Sequence, residues 1–134
     1  MFKLIKIQNS GINVPEPQKL NKLSTASIKL GEALVIENGE IKSCPATSTP
    51  TYVAFASAPE GSESVVCYPV NSDMLFETTV NAAPTALLIG SKVTIGKDSD
   101  GCSVCVSATT ASGVATIVSL DEAAKAGDKV TVKF

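Results

Sequence analysis

The chain has 134 residues, 44% of them hydrophobic, and a formal charge of −2, so it is the size of one ordinary domain that can fold without metal or disulfide. Ser, Thr, Val and Ile are abundant and Gly and Pro recur throughout, which excludes long helices and gives the composition of an all-β domain. All eleven basic residues are Lys, with no Arg to grip phosphate or guanine and no aromatic residues interleaved with the Lys, so nucleic acid is not an expected partner.

The chain opens on Phe2, Leu4, Ile5 and Ile7, set between Lys3 and Lys6. This run is too short and too charged for the apolar core of a signal peptide, and no later stretch is long and uncharged enough for a bilayer. The expectation is a protein made in a cytoplasm, with reduced thiols and no membrane partner. Asn9-Ser10-Gly11 ends the run, and Val14-Pro15-Glu16-Pro17 must be extended, because proline cannot enter a helix interior. Residues 1–27 therefore read as an extended N-terminal arm ahead of a single β domain over 28–134. Residues 1–30 carry five Lys and one Glu, against six Lys and twelve acids in the remainder, so the arm is basic and the body acidic.

From Ile28 the even positions Ile28, Leu30, Leu34 and Ile36 fall on one strand face. Asn38-Gly39 is a two-residue turn supplying positive φ at both central positions, and the chain returns through Ile41. Pro45 and Pro50 bracket a Ser/Thr loop, followed by strands over 52–56 and 64–70. Alternation over 74–80 predicts a strand joining two halves, with a linker over 81–84. Further strands are expected over 87–89, 93–96, 102–107, 114–119 and 129–134. Ser119 and Glu122 have capping-box spacing and Gly127 is a suitable stop, which predicts a short helix over 120–126.

The landmarks of 31–70 recur in 90–134, joined by 71–89. Gly31 and Gly90 open the two copies, Asn38-Gly39 and Asp100-Gly101 turn them, and Val53-Ala54 matches Val114-Ala115. Two such units should bury their apolar faces against each other, as a small barrel or sandwich with a pseudo-twofold relation. The repeated positions are turn glycines and inward apolar residues. Binding information is expected in the unrepeated parts, residues 1–27, 43–51 and 71–86.

Chemistry is sparsely represented. There is no His, which removes the usual general base and the commonest metal ligand, so an enzyme is not expected. Cys102-Ser-Val-Cys105 has half a zinc-site spacing, with Cys44 and Cys67 as the remaining thiols. On a strand, however, Cys102 and Cys105 point to opposite faces, and small buried thiols are the expected outcome. Asp98-Ser-Asp100-Gly101 lacks the rest of a calcium loop and reads as a hairpin turn. No metal and no cofactor is expected.

The order of motifs in the whole chain resembles the head decoration, or capsid cement, proteins of tailed bacteriophages. It comprises a Pro-containing N-terminal arm, Gly31-x-Ala-Leu with Asn38-Gly39, the Ala46-Thr47 loop, Val53-Ala54, and a closing Gly127-Asp-Lys-Val-Thr-Val-Lys-Phe134 strand. The resemblance implies a small β-barrel or β-tulip-like domain, in a non-enzymatic structural protein that binds and stabilises the outer surface of the expanded capsid. The major capsid protein would be its partner, with neighbouring copies of itself in an oligomer on the shell. It also implies that the N-terminal segment orders on the capsid. Phe2, Lys3, Leu4, Ile5, Lys6, Ile7, Val14, Pro15 and Pro17 are the candidate partner-binding residues, the apolar run adding a strand to a capsid edge. Another virion β module, such as a head-fibre base or a tail-associated domain, and a cytoplasmic binding module are the alternatives.

Overall fold

The computed structural model describes residues 1–8, 15–83, 89–121 and 124–134. Among them the secondary structure is β throughout: β1 Lys3–Ile7, β2 Gln18–Asn21, β3 Ala33–Glu37, β4 Glu40–Ser43, β5 Tyr52–Ala54, β6 Ser64–Pro69, β7 Met74–Thr79, β8 Lys92–Val93, β9 Ile95–Gly96, β10 Cys105–Val106, β11 Ala115–Leu120 and β12 Lys129–Lys133. They form one five-stranded sheet in the order β1-β7-β12-β11-β8, a second in the order β2-β6-β5-β3-β4, and a small β9–β10 pair.

The two large sheets repeat one pairing order, with β2-β6-β5-β3 corresponding to β7-β12-β11-β8. The matching bonds coincide in detail. Gly31 donates its amide to Ala54 O at 2.9 Å and Gly90 to Ile117 O at 2.8 Å; Thr51 donates to Leu34 O at 3.0 Å and Val114 to Val93 O at 2.9 Å. Glycine is required at both openings, where φ is 71° and 92°. At Gly31 a Cβ would also come within 2.8 Å of the Phe2 carbonyl oxygen.

Of the barrel or sandwich expected from the sequence, a closed barrel is not formed. The sheets are open, and β2 and β4 touch through an isolated bridge between Lys22 and Ile41. The physical reason lies in the cores. Ala33, Val53 and Tyr68 of the second sheet pack with Met74, Phe76, Ile117, Val130 and Val132 of the first, so each repeat covers the other's apolar face without closing on itself. The second sheet curls around another cluster, Ile28, Leu34, Ile41, Ala54, Val65 and Cys67, and so buries side chains on both faces. For that reason simple alternation fails there. Ala33 and Leu34 are both fully buried, while Leu30 and Ile36 of the expected inward series are exposed.

The Asn38-Gly39 turn has the geometry read from sequence, with φ of 52° and 81° between the paired Glu37 and Glu40. Among the described residues of 120–126 no helix is seen. Ser119 and Leu120 are instead strand residues opposite Thr131 and Val130, so Ser119 is committed to sheet pairing and cannot cap a helix. Turns follow, with Ala124 donating to Asp121 O at 3.0 Å and Asp128 to Lys125 O at 3.0 Å. Glu122 of the capping box lies outside the described residues. So do the 9–11 turn, Pro84 of the linker, and most of the 87–89 strand. The 102–107 strand shortens to β10.

The described residues of 1–27 do not stand apart from the body. β1 pairs antiparallel with β7, Lys3 facing Glu77 and Ile7 facing Met74, with a register shift between Leu4 and Lys6. Phe2 is 2% exposed and meets Phe134 edge to face at 5.3 Å between ring centroids. β2 pairs with β6 from Gln18–Cys67 to Asn21–Ser64. Phe2 is thus enclosed, and Leu4 and Ile7 are partly buried against the same core, which lessens their reason to seek a partner, while Ile5 stays exposed.

Candidate functional site

The described surface has one conspicuous apolar concavity, an open groove of about 610 Å³ beside the N-terminal strand. β1 contributes Lys3 and Leu4 to its lining, with Phe2 just before it, and the segment entering β2 contributes Pro15 and Pro17. Leu30, Phe55 and Tyr68 form the opposing side, supplied by the β3 approach, the end of β5, and β6. The groove exists because Gly31 brings the β3 approach against the N-terminal strand: the Phe2 amide donates to Gly31 O at 2.8 Å.

Its walls differ in rigidity. Tyr68 is 8% exposed and stacks nearly parallel to Phe76, with centroids 6.4 Å apart. Burial pushes its hydroxyl up to about 12, against a hydrogen bond with the Leu4 backbone that acts in the other direction. Phe55 meets Tyr68 edge-on at 6.3 Å yet remains 55% exposed. A half-exposed aromatic ring braced by a fixed one is a suitable contact element for a partner, because little side-chain freedom remains to be lost on binding.

Of the residues singled out from sequence, Phe2, Lys3, Leu4, Pro15 and Pro17 come together around this groove, with Phe2 acting as core. Ile5, Lys6 and Ile7 lie further along β1 and do not line it. Val14 lies outside the described residues. Sequence reasoning missed Leu30, which it placed on an inward face, and Phe55, which it placed inside a strand. Phe55 follows the last residue of β5, so its exposure depends on where the strand stops, which alternation does not reveal. The described residues of the other two unrepeated stretches also contribute to the core. Cys44 and Pro50 of the 43–51 loop are buried, and Ala46 O accepts the Ile95 amide at 2.8 Å. Within 71–83, Met74, Leu75 and Phe76 are core.

The polar groups form structural networks. Glu32 is 1% exposed, and its Oε1 accepts from Ser43 Oγ at 2.5 Å and from the Ser103 amide at 3.2 Å. Its Oε2 accepts from the Lys29 amide at 2.9 Å. Ser103 Oγ in turn donates to Cys44 O at 2.7 Å, so this carboxylate ties the two repeats together. Facing backbone and serine donors, it is placed to staple rather than to act as a general base. Outside it, Lys29 Nζ bonds Asp98 Oδ2 at 2.6 Å and Asp100 Oδ2 at 2.5 Å, a second link between the halves.

All four thiols are buried and free. Desolvation raises them, Cys44 to about 12 and Cys67 to about 11, which opposes the thiolate that metal binding requires. Among the described residues no group of three or more His, Cys, Asp or Glu side chains could hold a metal ion.

No protein-family model matches the chain, and no curated protein does. Among solved structures it is similar to the crystal structure of the N base of the head fiber gp8.5 in bacteriophage phi29. The TM-score is 0.55 at 18% identity, over 89% of this chain and 94% of that one. At that identity the likeness is one of fold, and it extends over nearly the whole of both chains.

Proposed function

We propose that this chain is a non-enzymatic structural protein of a tailed-phage virion, binding the outer surface of the head shell and stabilising it. The observation that carries the reading is the whole-length fold likeness to a base module of a phage head fiber. The molecule's own features support it. Its buried carboxylate staples two halves, its thiols are desolvated, and its conspicuous concavity is apolar with an exposed aromatic wall. Such a surface binds by shape and apolar contact rather than by transforming a substrate. The partner is the major capsid protein, with further copies of this chain as neighbours on the shell.

The same likeness favours a second reading, in which the chain is the shell-anchoring base of a head fiber. Both readings predict that purified protein co-sediments with expanded, undecorated shells and saturates at a fixed ratio to the capsid lattice. Failure to bind would count against both. The mass of the virion polypeptide containing this sequence separates them: a decoration protein runs at about the 13.8 kDa of this chain, and a fiber base carries a fibrous extension.

A further inference from the structure

Three of the exposed large apolar side chains, Met1, Leu30 and Phe55, converge on the groove beside β1. A cleft of about 610 Å³ is in the range, roughly 300–1,000 Å³, that encloses a ligand or a short peptide segment. The Phe2 amide is bonded to Gly31 O, so an incoming strand does not find that donor free. What the groove offers an occupant is its side-chain lining.

Lys3 is the charged residue of the lining. Its cross-strand neighbour Glu77 is bonded to Lys129 at 2.9 Å and also feels the charge of Lys3, so two ammoniums share one carboxylate, and Lys6 follows Lys3 along the same strand. An apolar trough with an incompletely neutralised ammonium beside it is complementary to an apolar segment flanked by a carboxylate. We propose that the groove receives an extended apolar segment of the shell subunit, its side chains against Phe55 and Leu30 and a neighbouring Asp or Glu on Lys3. This rests on the shell-binding reading above and names the surface that carries it.

The test is co-sedimentation with expanded, undecorated shells at low and high salt. Wild type is compared with Phe55→Ser, Leu30→Ser, Lys3→Glu and, as a control on a different exposed apolar residue, Ile36→Ser. Because Phe55, Leu30 and Ile36 are exposed, each variant should keep its unfolding midpoint. Expected are a weakening of about tenfold or more for Phe55→Ser, the scale of an aromatic anchor, and a smaller loss for Leu30→Ser. Lys3→Glu should weaken binding more at low salt than at high, and Ile36→Ser should leave it unchanged. Wild-type binding with unaltered groove variants would overturn the proposed occupant and leave the shell reading standing. Absence of wild-type binding would overturn both. Concentration-dependent dimerisation abolished by Phe55→Ser would assign the groove to a second copy of the chain and overturn the proposal as well.

Discussion

Lys22 and Val80 occupy corresponding places in the two halves of the molecule. The amide of Lys22 donates to Glu63 O at 3.0 Å and that of Val80 to Asp128 O at 3.1 Å. Each residue also makes an isolated parallel bridge, Lys22 to Ile41 and Val80 to Val106. Where the second half buries a valine, the first buries a lysine only 3% exposed, its Nζ donating to Leu23 O at 3.0 Å and Ala26 O at 2.5 Å. Lys22→Ala removes those charge-assisted bonds and should destabilise the fold by about 1–3 kcal/mol. Urea unfolding measures it, and an unshifted midpoint would show that the ammonium contributes nothing net.

Phe2 belongs to the core rather than to an appendage. Phe2→Ala should cost about 3–5 kcal/mol, since the ring is enclosed against Phe134 and the cavity cannot fully collapse. Removing residues 1–8 should be worse, because it also bares the edge of β7. The check is thermal denaturation of both variants. A truncated protein that melts like the full chain would mean that β1 is not part of the cooperative unit.

Two glycines separate steric from conformational demands. At Gly113 a Cβ would sit 2.4 Å from the Lys92 carbonyl oxygen, whereas at Gly61 it meets nothing within 4 Å, although φ is +88°. Gly61→Ala should cost about 1–2 kcal/mol, the penalty of a left-handed residue. Gly113→Ala must push β8 away from β11 and should cost more. Comparing denaturation midpoints decides it, and equal or reversed costs would refute the close approach of these strands.

The ion pairs predict a mild acid sensitivity. Hydrogen bonds from Lys29 hold the Asp98 carboxyl below its usual range, and Lys129 does the same for Glu77. A depressed folded-state value contributes stability above the unfolded value, near pH 4, and loses it as the pH falls through the folded one. Lys29 is shifted upward, so its share is present below its unfolded value and is lost at strongly alkaline pH. All these groups are substantially solvated, so the effect should be small and should shrink in high salt. Asp98→Asn should flatten the acid limb of a stability–pH curve, and an unchanged limb would remove this pair as a contributor.

The thiols respond in the opposite direction. Raised values for Cys44 and Cys67 mean that their stability share is complete below the unfolded thiol value of 9.0 and declines as the pH rises toward about 12 and about 11. At pH 8 a disulfide reagent should label these two thiols only as fast as the chain opens, and all four immediately in denaturant. Rapid stoichiometric labelling of Cys44 and Cys67 in the native state would contradict their burial.

Turn chemistry was legible in the sequence because it is local. Asn38-Gly39 sets its own φ values, and the recurring Gly31 and Gly90 mark positions whose backbone only glycine adopts readily. The helix at 120–126 was misread because capping spacing is also local, while the competing demand on Ser119, pairing with Thr131, comes from a strand several residues further on. The groove was half legible. Its β1 side stood out as an apolar-basic run, but Leu30 and Phe55 join it only after the strand ends and the Gly31 contact are fixed.

The sequence by itself determined an all-β chain, its two-part organisation, and the scarcity of catalytic groups, since composition, turn residues and alternation are short-range properties. The tertiary structure decided that residues 2–7 complete a sheet, that the sheets face each other instead of closing, and that one apolar groove stays open. Those outcomes depend on which surfaces meet across the whole chain. A run such as Phe2, Leu4, Ile5 and Ile7 announces apolar side chains but not which of them find cover: here Phe2, Leu4 and Ile7 pack in the core shared with β7 and Phe134, Ile5 stays exposed, and the open groove lies alongside.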